Sequence, residues 1–348
     1  MEPDLEYQNT RAFDRDVFNA MFMVKRALHD DDGGVEPPDG TAELNRNCME
    51  AWAPSPPPAV DPPAPQPEHQ PITPPAVETA EGEQLADILD RRAVDETAHG
   101  HLVAARALHE QAVEIRRRVF GEADPRLAQS FTWIGNLALR ENRLEEAWWL
   151  HEQARRVVEK IHGPEDLRLA IPLHNLGVTA RSLGDLVQAS DLYDQALAIK
   201  LQHLGWMHTS VATTLTNLGN LSRLCGDRKA ALCYYARARD IFEKTLGGVN
   251  PGLASVLVGI GRVHLEYGAH ISAIFMFERA VRIREAIEVT PTQLAGARLL
   301  LATALKSSRP AEAREVLQRA IADYARSEAP RTECAHALLA LAETLSHT

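Results

Sequence analysis

Two His-Glu pairs, at 109–110 and 151–152, are the first candidates for chemistry in this sequence. Such a pair binds zinc and activates water in metalloproteases only when a second histidine follows one helical turn later. Val113 and Arg155 occupy the positions where that second histidine is required. The pairs lie 42 residues apart, at a position that is aromatic further along the chain, as Tyr193, Tyr235 and Phe277. We therefore interpret His109 and His151 as packing residues.

A Gly-Ile-Gly step at 259–261 is the other candidate, and it lacks the context of a dinucleotide-binding loop because no strand pattern precedes it. Gly261 instead continues a series with Gly135, Gly177 and Gly219. The sequence contains no P-loop and no Gly-x-Ser-x-Gly motif. Its four cysteines are widely spaced and form no metal-binding pattern. We expect a protein that is not an enzyme and has no cofactor and no bound metal.

A single period of 42 residues organises the chain from residue 84 onward. A period of this size indicates a stack of similar structural units. The registers that share it are Gly100, Asn142, Gly184, Gly226 and Gly268; Gly121, Gly163, Gly205 and Gly247; Ala105, Ala147, Ala189, Ala231 and Ala273; and Ala112, Ala154, Ala196, Ala238 and Ala280.

Each period contains two segments with helical spacing of apolar residues, one before and one after its first turn residue, as around Gly184. Glycine and asparagine at the turns tolerate the left-handed conformation that ends many helices. Alanines seven residues apart on the second helix allow two helix axes to approach closely. The pattern predicts antiparallel helix pairs joined by tight turns.

Net charge is concentrated ahead of the repeats. Residues 1–80 hold fifteen acidic and five basic residues, whereas the remaining 268 hold 33 and 32. A nearly neutral body gives no support for nucleic-acid binding. No apolar run is long enough for membrane insertion, and no secretory signal is present at the N-terminus, so we expect a cytoplasmic protein.

The sequence before the repeats divides in two. Residues 1–29 form an acidic segment with a predicted short amphipathic helix, marked by Phe13, Val17, Phe18, Met21, Val24 and Leu28. Residues 30–83 form an acidic, Pro-rich segment with eleven of the chain's 21 prolines between Pro54 and Pro75. Because it has few residues able to form a core, we predict a disordered linker.

The repeat residues resemble a known family. Leu176-Gly177, Gly184, Ala189, Tyr193 and Ala196 fill the signature positions of tetratricopeptide repeats, and the 42-residue period resembles the type found in kinesin light chains. The resemblance implies an all-α fold, a right-handed superhelical solenoid of helix-turn-helix repeats. We expect about six repeats over 84–328, with degenerate first and last repeats, a disordered N-terminal arm, and a capping helix at 329–348.

In this family the first helices of successive repeats line a concave groove, and the resemblance implies ten polar residues on or near it. Stacked asparagines can both donate to and accept from a peptide backbone, and arginines pair with carboxylates. The alternative is that Asn175 and Asn217 bridge repeats and the arginines form a solvated face. The predicted groove residues are Asn136, Arg140, His174, Asn175, Arg181, Thr216, Asn217, Asn220, Arg223 and Arg262.

These features predict a protein-interaction scaffold or adaptor that binds an extended, acidic peptide segment of a partner. Two alternatives remain: a regulatory sensor of a signalling peptide, and a structural assembly subunit that acts through its Pro-rich arm. The linker is also long enough for the acidic residues at 30–39 to reach the groove and compete with partners. An intramolecular contact of this arm is therefore a further expectation.

Overall fold

The structure, a computed structural model, describes residues 76–122, 124–287 and 289–326. These ranges contain twelve α-helices and one 3₁₀ turn, and no β-strand. The helices are α1 (Ala76–Ala98), α2 (Leu102–Phe120), α3 (Arg126–Arg140), α4 (Leu144–His162), α5 (Ala170–Leu183), α6 (Leu186–Leu204), α7 (Thr209–Leu224), α8 (Arg228–Leu246), α9 (Pro251–Glu266), α10 (His270–Ala286), α11 (Pro291–Leu305) and α12 (Pro310–Ala325), with the 3₁₀ turn at Leu167–Leu169.

The helices form six antiparallel pairs, which we number as repeats one to six. Each helix packs against its partner and against the next helix along the chain. From α3 onward, successive first helices also contact one another, whereas contacts of comparable extent do not join successive second helices within the described ranges. The first helices therefore lie on the inner side of a curved stack. The all-α solenoid predicted from the period is confirmed.

The turns explain the period. Every glycine in the two turn registers has a positive φ, between 71° and 89°, and Asn142 has a φ of 58°. Among the described residues, Asn142 is the only non-glycine in this left-handed region. Asparagine tolerates it better than other side chains do. Both turn registers thus mark the ends of helices, as the sequence predicts.

Close packing within each pair explains the remaining registers. All ten alanines of the two 42-residue series are completely buried. Glycines on the first helices face the ring of the second helix. A methyl group added at Gly177 would lie 2.7 Å from the ring of Tyr193, and one at Gly261 would lie 2.6 Å from that of Phe277. Glycine is required here because any side chain would overlap the ring.

The first helix begins earlier than expected. Helix α1 starts at Ala76, inside the segment predicted as linker, directly after the last proline of the Pro-rich run. Proline is unfavourable within a helix, whereas the residues that follow Pro75 include several good helix formers. A methyl group added at Gly82 would lie 2.8 Å from Val119 of α2, so this part of α1 already packs on the first repeat.

Several predictions concern residues outside the described ranges. They are the amphipathic helix within 1–29, the disorder of the linker up to residue 75, and the capping helix at 329–348. The boundaries proposed for these segments remain predictions. Of the helices that the structure does describe, none has both the length and the apolar composition needed to cross a membrane.

Candidate binding groove

The predicted groove residues lie on four consecutive first helices. Asn136, Arg140 and Arg262 are exposed, Thr216 is buried, and the other six are partly buried. The hydroxyl of Thr216 donates a hydrogen bond to the carbonyl oxygen of Ala212 at 2.8 Å, so its proton is used within the helix. By helix, the set comprises Asn136 and Arg140 on α3; His174, Asn175 and Arg181 on α5; Thr216, Asn217, Asn220 and Arg223 on α7; and Arg262 on α9.

A polar network joins repeats three and four beneath the groove. The buried ammonium of Lys200 donates to the Thr214 hydroxyl at 2.8 Å. His174 Nδ1 lies 3.3 Å from the same hydroxyl, and its Nε2 lies 3.1 Å from the amide nitrogen of Asn217. The Thr214 hydroxyl also lies 3.2 Å from the carbonyl oxygen of Ser210, to which it can donate. Asn217 therefore bridges two repeats, as the alternative interpretation expected.

Protonation in this network follows from burial. Burial, with smaller contributions from Lys200 and Arg181, lowers the pKa of His174 to about 3, so its imidazole is neutral at pH 7. A neutral ring has one donor and one acceptor. Donation from Nδ1 to Thr214 leaves Nε2 to accept from the Asn217 amide. The amide oxygen and one N–H of Asn217 are not used by this contact. Burial also lowers the pKa of Lys200 to about 8.

The groove arginines differ in charge compensation. Arg223 donates to Glu266 at 2.6 Å, and Glu266 also pairs with Arg228. Arg262 makes no ion pair with any described residue. Its pKa is lowered, first by burial and then by the positive charge of Arg223. The charge of Arg262 is therefore not neutralised by an ion pair in the way that the charge of Arg223 is.

Arg262 lines a cavity of about 410 Å³ between repeats five and six. Arg284, on the second helix α10, lines it as well, and its pKa is lowered first by burial and then by Arg262. Arg284 donates to the carbonyl oxygen of Gln293 but makes no ion pair with a described residue. Among the described residues, no acidic side chain lines the cavity, whose other members are Val258, Thr292, Gln293, Gly296, Leu299, Leu300 and Tyr324.

Arg284 was missed by the sequence analysis because only first helices were assigned to the groove. A signal was present, since Arg116, Lys200 and Arg284 recur every 84 residues, at the same place in alternate repeats. Arg116 donates to Asp90, and Lys200 is linked through Thr214 to His174. The residue that corresponds to Asp90 and His174 in repeat five is Val258. Arg284 therefore lacks the polar partner that its equivalents have, and it borders the cavity.

The two histidines of the His-Glu pairs have different surroundings. His151 is fully buried against Gly135, and neither ring nitrogen has a hydrogen-bond partner. His109 instead lies 2.7 Å from a carboxylate oxygen of Asp90 and stacks on Trp133 at 4.8 Å between ring centroids. The packing role predicted for His109 is therefore incomplete, because the ring also takes part in a buried polar contact. No group of potential metal ligands is found among the described residues.

Comparison with known proteins agrees with this geometry. One tetratricopeptide repeat profile matches residues 132–202 and 210–286, and a second matches 85–126, so that together they cover more than half of the chain. No curated protein sequence matches.

Solved structures with a similar fold share little sequence with this chain. A Rap protein in complex with competence and sporulation factor is 15% identical, with a TM-score of 0.55, and the match covers 100% of this chain and 88% of that one. A signal transduction ATPase with a tetratricopeptide repeat sensor, from Pyrococcus horikoshii, is 15% identical with a TM-score of 0.56, covering 76% and 39%. A putative kinesin light chain repeat protein from Podosopora anserina is 21% identical with a TM-score of 0.47, covering 58% and 96%.

At these identities, the two matches with TM-scores above 0.5 establish the fold alone. The sequence profiles establish more, because their matched ranges follow the same helix pairs that the structure shows. The chain belongs to the tetratricopeptide repeat family, whose members act as protein-interaction scaffolds.

Proposed function

We propose that this protein binds an acidic peptide segment of a partner along its inner groove, with one carboxylate held between Arg262 and Arg284. The observation that carries the proposal is the pair of guanidinium groups beside a cavity whose described lining residues include no acidic side chain. Desolvation of the guanidinium group lowers the pKa of Arg262 and of Arg284, and the charge of Arg262 lowers the pKa of Arg284 further. A bound carboxylate would offset both effects.

The lining also favours a particular neighbour for that carboxylate. Leu299, Leu300 and Val258 supply an apolar wall, while Gln293 and Thr292 supply polar atoms. Binding sites of this kind combine apolar walls with a few convergent polar groups. The proposed ligand is therefore an extended segment in which an acidic residue stands next to an aliphatic one.

Elsewhere in the groove, asparagines are suited to contact a peptide backbone. The amide oxygen of Asn217 is not used by its bond to His174. Asn175 is partly exposed at the equivalent place one repeat earlier. Support for a bound ligand also comes from the similar Rap protein, which was solved in complex with competence and sporulation factor.

Fluorescence anisotropy with a labelled ten-residue peptide of alternating Asp and Leu tests the proposal, with an Asn-Leu peptide of the same length as the neutral comparison. We expect Arg262→Gln and Arg284→Gln each to weaken binding by ~10- to 100-fold, because a hydrogen bond to a charged group contributes ~1.5–3 kcal/mol. The matched control is Arg282→Gln, which removes an exposed arginine from α10, the helix that carries Arg284.

The control variant is expected to bind as the natural protein does. Binding should also weaken as salt rises, since partly exposed ion pairs are screened. Equal affinity for the Asp and Asn peptides, or an equal loss in Arg282→Gln, would contradict an anion site at the cavity.

A further inference from the structure

A second cavity, of about 170 Å³, lies between the two helices of repeat two, beside the turn that joins repeat one to it, and none of its lining residues belongs to the predicted groove. Its apolar floor comes from Phe131, Val157 and Ile161, and its rim includes Gln153. The exposed ring of Trp149 extends this floor, since it meets Phe131 edge to face at 6.4 Å between centroids. We call this surface the aromatic cleft, and its remaining lining residues are Glu122, Arg156 and Lys160.

The aromatic cleft follows one face of helix α4. Trp149, Gln153, Arg156 and Lys160 are spaced four, three and four residues apart, which places them in line on a helix surface. Trp149 is 51% exposed, although a tryptophan of a globular protein is usually mostly buried. Such a stripe on a second helix lies on the outer side of the stack. The chemistry of this stripe on α4 is suited to a ligand that has apolar rings and some negative charge.

The cleft is also close to where the N-terminal arm joins the folded body. Glu83 of α1 forms an ion pair with Arg126, and Gly82 packs near Val119. Val119 and Arg126 flank the turn that contains Glu122, which is itself part of the cleft. The first turns of α1 therefore lie at the edge of the solenoid on which the cleft opens.

We propose that residues 54–75 of the same chain dock in the aromatic cleft as an extended polyproline segment. This segment holds eleven prolines, and it is joined directly to α1 at Ala76. Proline-rich segments bind aromatic-lined grooves because a polyproline helix has no internal hydrogen bonds and little conformational entropy to lose. Asp61 and Glu68 provide charges opposite to that of Lys160 and to that of Arg156, which also pairs with Glu152.

Geometry and concentration both favour an intramolecular contact. A polyproline helix rises ~3.1 Å per residue, so the segment's 22 residues would extend by ~70 Å. That length is ample to pass from the start of α1 to a cleft at the same edge. A tethered ligand has an effective concentration in the millimolar range, so a weak contact is sufficient. The docking surface differs from the groove, and this proposal does not depend on the identity of the groove ligand.

Photo-crosslinking in the full-length chain tests the contact. A benzoylphenylalanine placed at Gln153 lies in the cleft, and one placed at Gln195 provides the matched control, because the same residue type stands 42 positions later on α6. After irradiation, digestion and mass spectrometry, we expect the probe at 153 to join a peptide from within 54–75. The probe at 195 should not. Trp149→Ala is expected to reduce the yield by ~10-fold, since an aromatic contact contributes up to ~1.5 kcal/mol.

Mixing isotope-labelled and unlabelled chains before irradiation shows which chain supplies the segment. Products within a single chain support the proposal. A product that joins two chains would identify a second copy as the occupant and overturn it. Absence of any product from 54–75, or equal products from both probes, would also overturn it. Trp149 is exposed, so loss of signal in Trp149→Ala with an unchanged circular dichroism spectrum reports on the contact and not on folding.

Discussion

Replacing His151 with phenylalanine is expected to remove an acid sensitivity from the second repeat. The natural imidazole is fully buried and neither nitrogen has a hydrogen-bond partner. Phenylalanine fits the site, because Phe277 occupies the equivalent position in repeat five. The two rings lie equally close to the first helix of their repeat, because a methyl group at Gly135 would lie 2.6 Å from the His151 ring and one at Gly261 would lie 2.6 Å from the Phe277 ring.

The sign of the effect follows from protonation. Burial lowers the pKa of His151 from 6.5 to about 4. Between these two values the unfolded chain binds a proton at this site and the folded chain does not. The contribution of His151 to the free energy of unfolding is therefore fully present above pH 6.5 and is lost as the pH falls toward 4.

The magnitude follows from the same shift. One pH unit within this window corresponds to ~1.4 kcal/mol, so the loss from this residue is ~2 kcal/mol at pH 5. Phenylalanine also removes two buried, unpaired nitrogens, each a desolvation cost of ~1–3 kcal/mol. We expect His151→Phe to be at least as stable as the natural protein at pH 7 and clearly more stable at pH 5.

Urea unfolding at pH 5, 6, 7 and 8, followed by circular dichroism, measures this difference. His174 also has a lowered pKa, but it is present in both proteins, so the difference between the two curves isolates His151. The control is His270→Gln, which changes an exposed histidine at the start of α10 and shows how much any histidine substitution alters the curves. Parallel curves for His151→Phe and the natural protein would refute the reasoning, because they would show that this imidazole is protonated equally in the folded and unfolded states.

Two further predictions concern packing and alkaline stability. Gly177→Ala is expected to lower the free energy of unfolding by ~1–3 kcal/mol, because its methyl group would overlap the Tyr193 ring at 2.7 Å. Thermal melts measure this loss, and the control Gly248→Ala, which has open space around it, should have little effect in them. Lys200 has a pKa of about 8 in the folded protein, so between pH 8 and 10 only the unfolded chain keeps this proton, and the free energy of unfolding should rise by ~1.4 kcal/mol per pH unit. Lys200→Met should abolish this rise. A rising curve in the variant would show that another group is responsible.

Much of the fold could be predicted from the sequence because its determinants are local. Gly184 or Asn142 ends a helix through its own backbone conformation, and this requirement is visible as residue type alone. The buried alanines are equally visible, because small residues at a fixed spacing indicate close helix approach. The start of α1 was less predictable, because the repeat registers give the positions of the turns but not how far the first helix extends toward the N-terminus.

The candidate site depended on tertiary structure to a larger extent. The period assigns His174 and Asn217 to similar places in adjacent repeats, but only the structure shows them in contact. The charge of Arg223 is likewise compensated by Glu266, 43 residues away.

The sequence by itself determined a 42-residue helical repeat, its turns and the helices that carry Arg262. It did not determine that Arg284 lies at the same cavity. That proximity depends on how neighbouring helix pairs pack and tilt, and on the presence of Val258 where earlier repeats have a polar partner. The 42-residue spacing shows which residues occupy equivalent positions in different repeats. Charge compensation depends on the distances between side chains at non-equivalent positions, and those distances are set only when the repeats pack together.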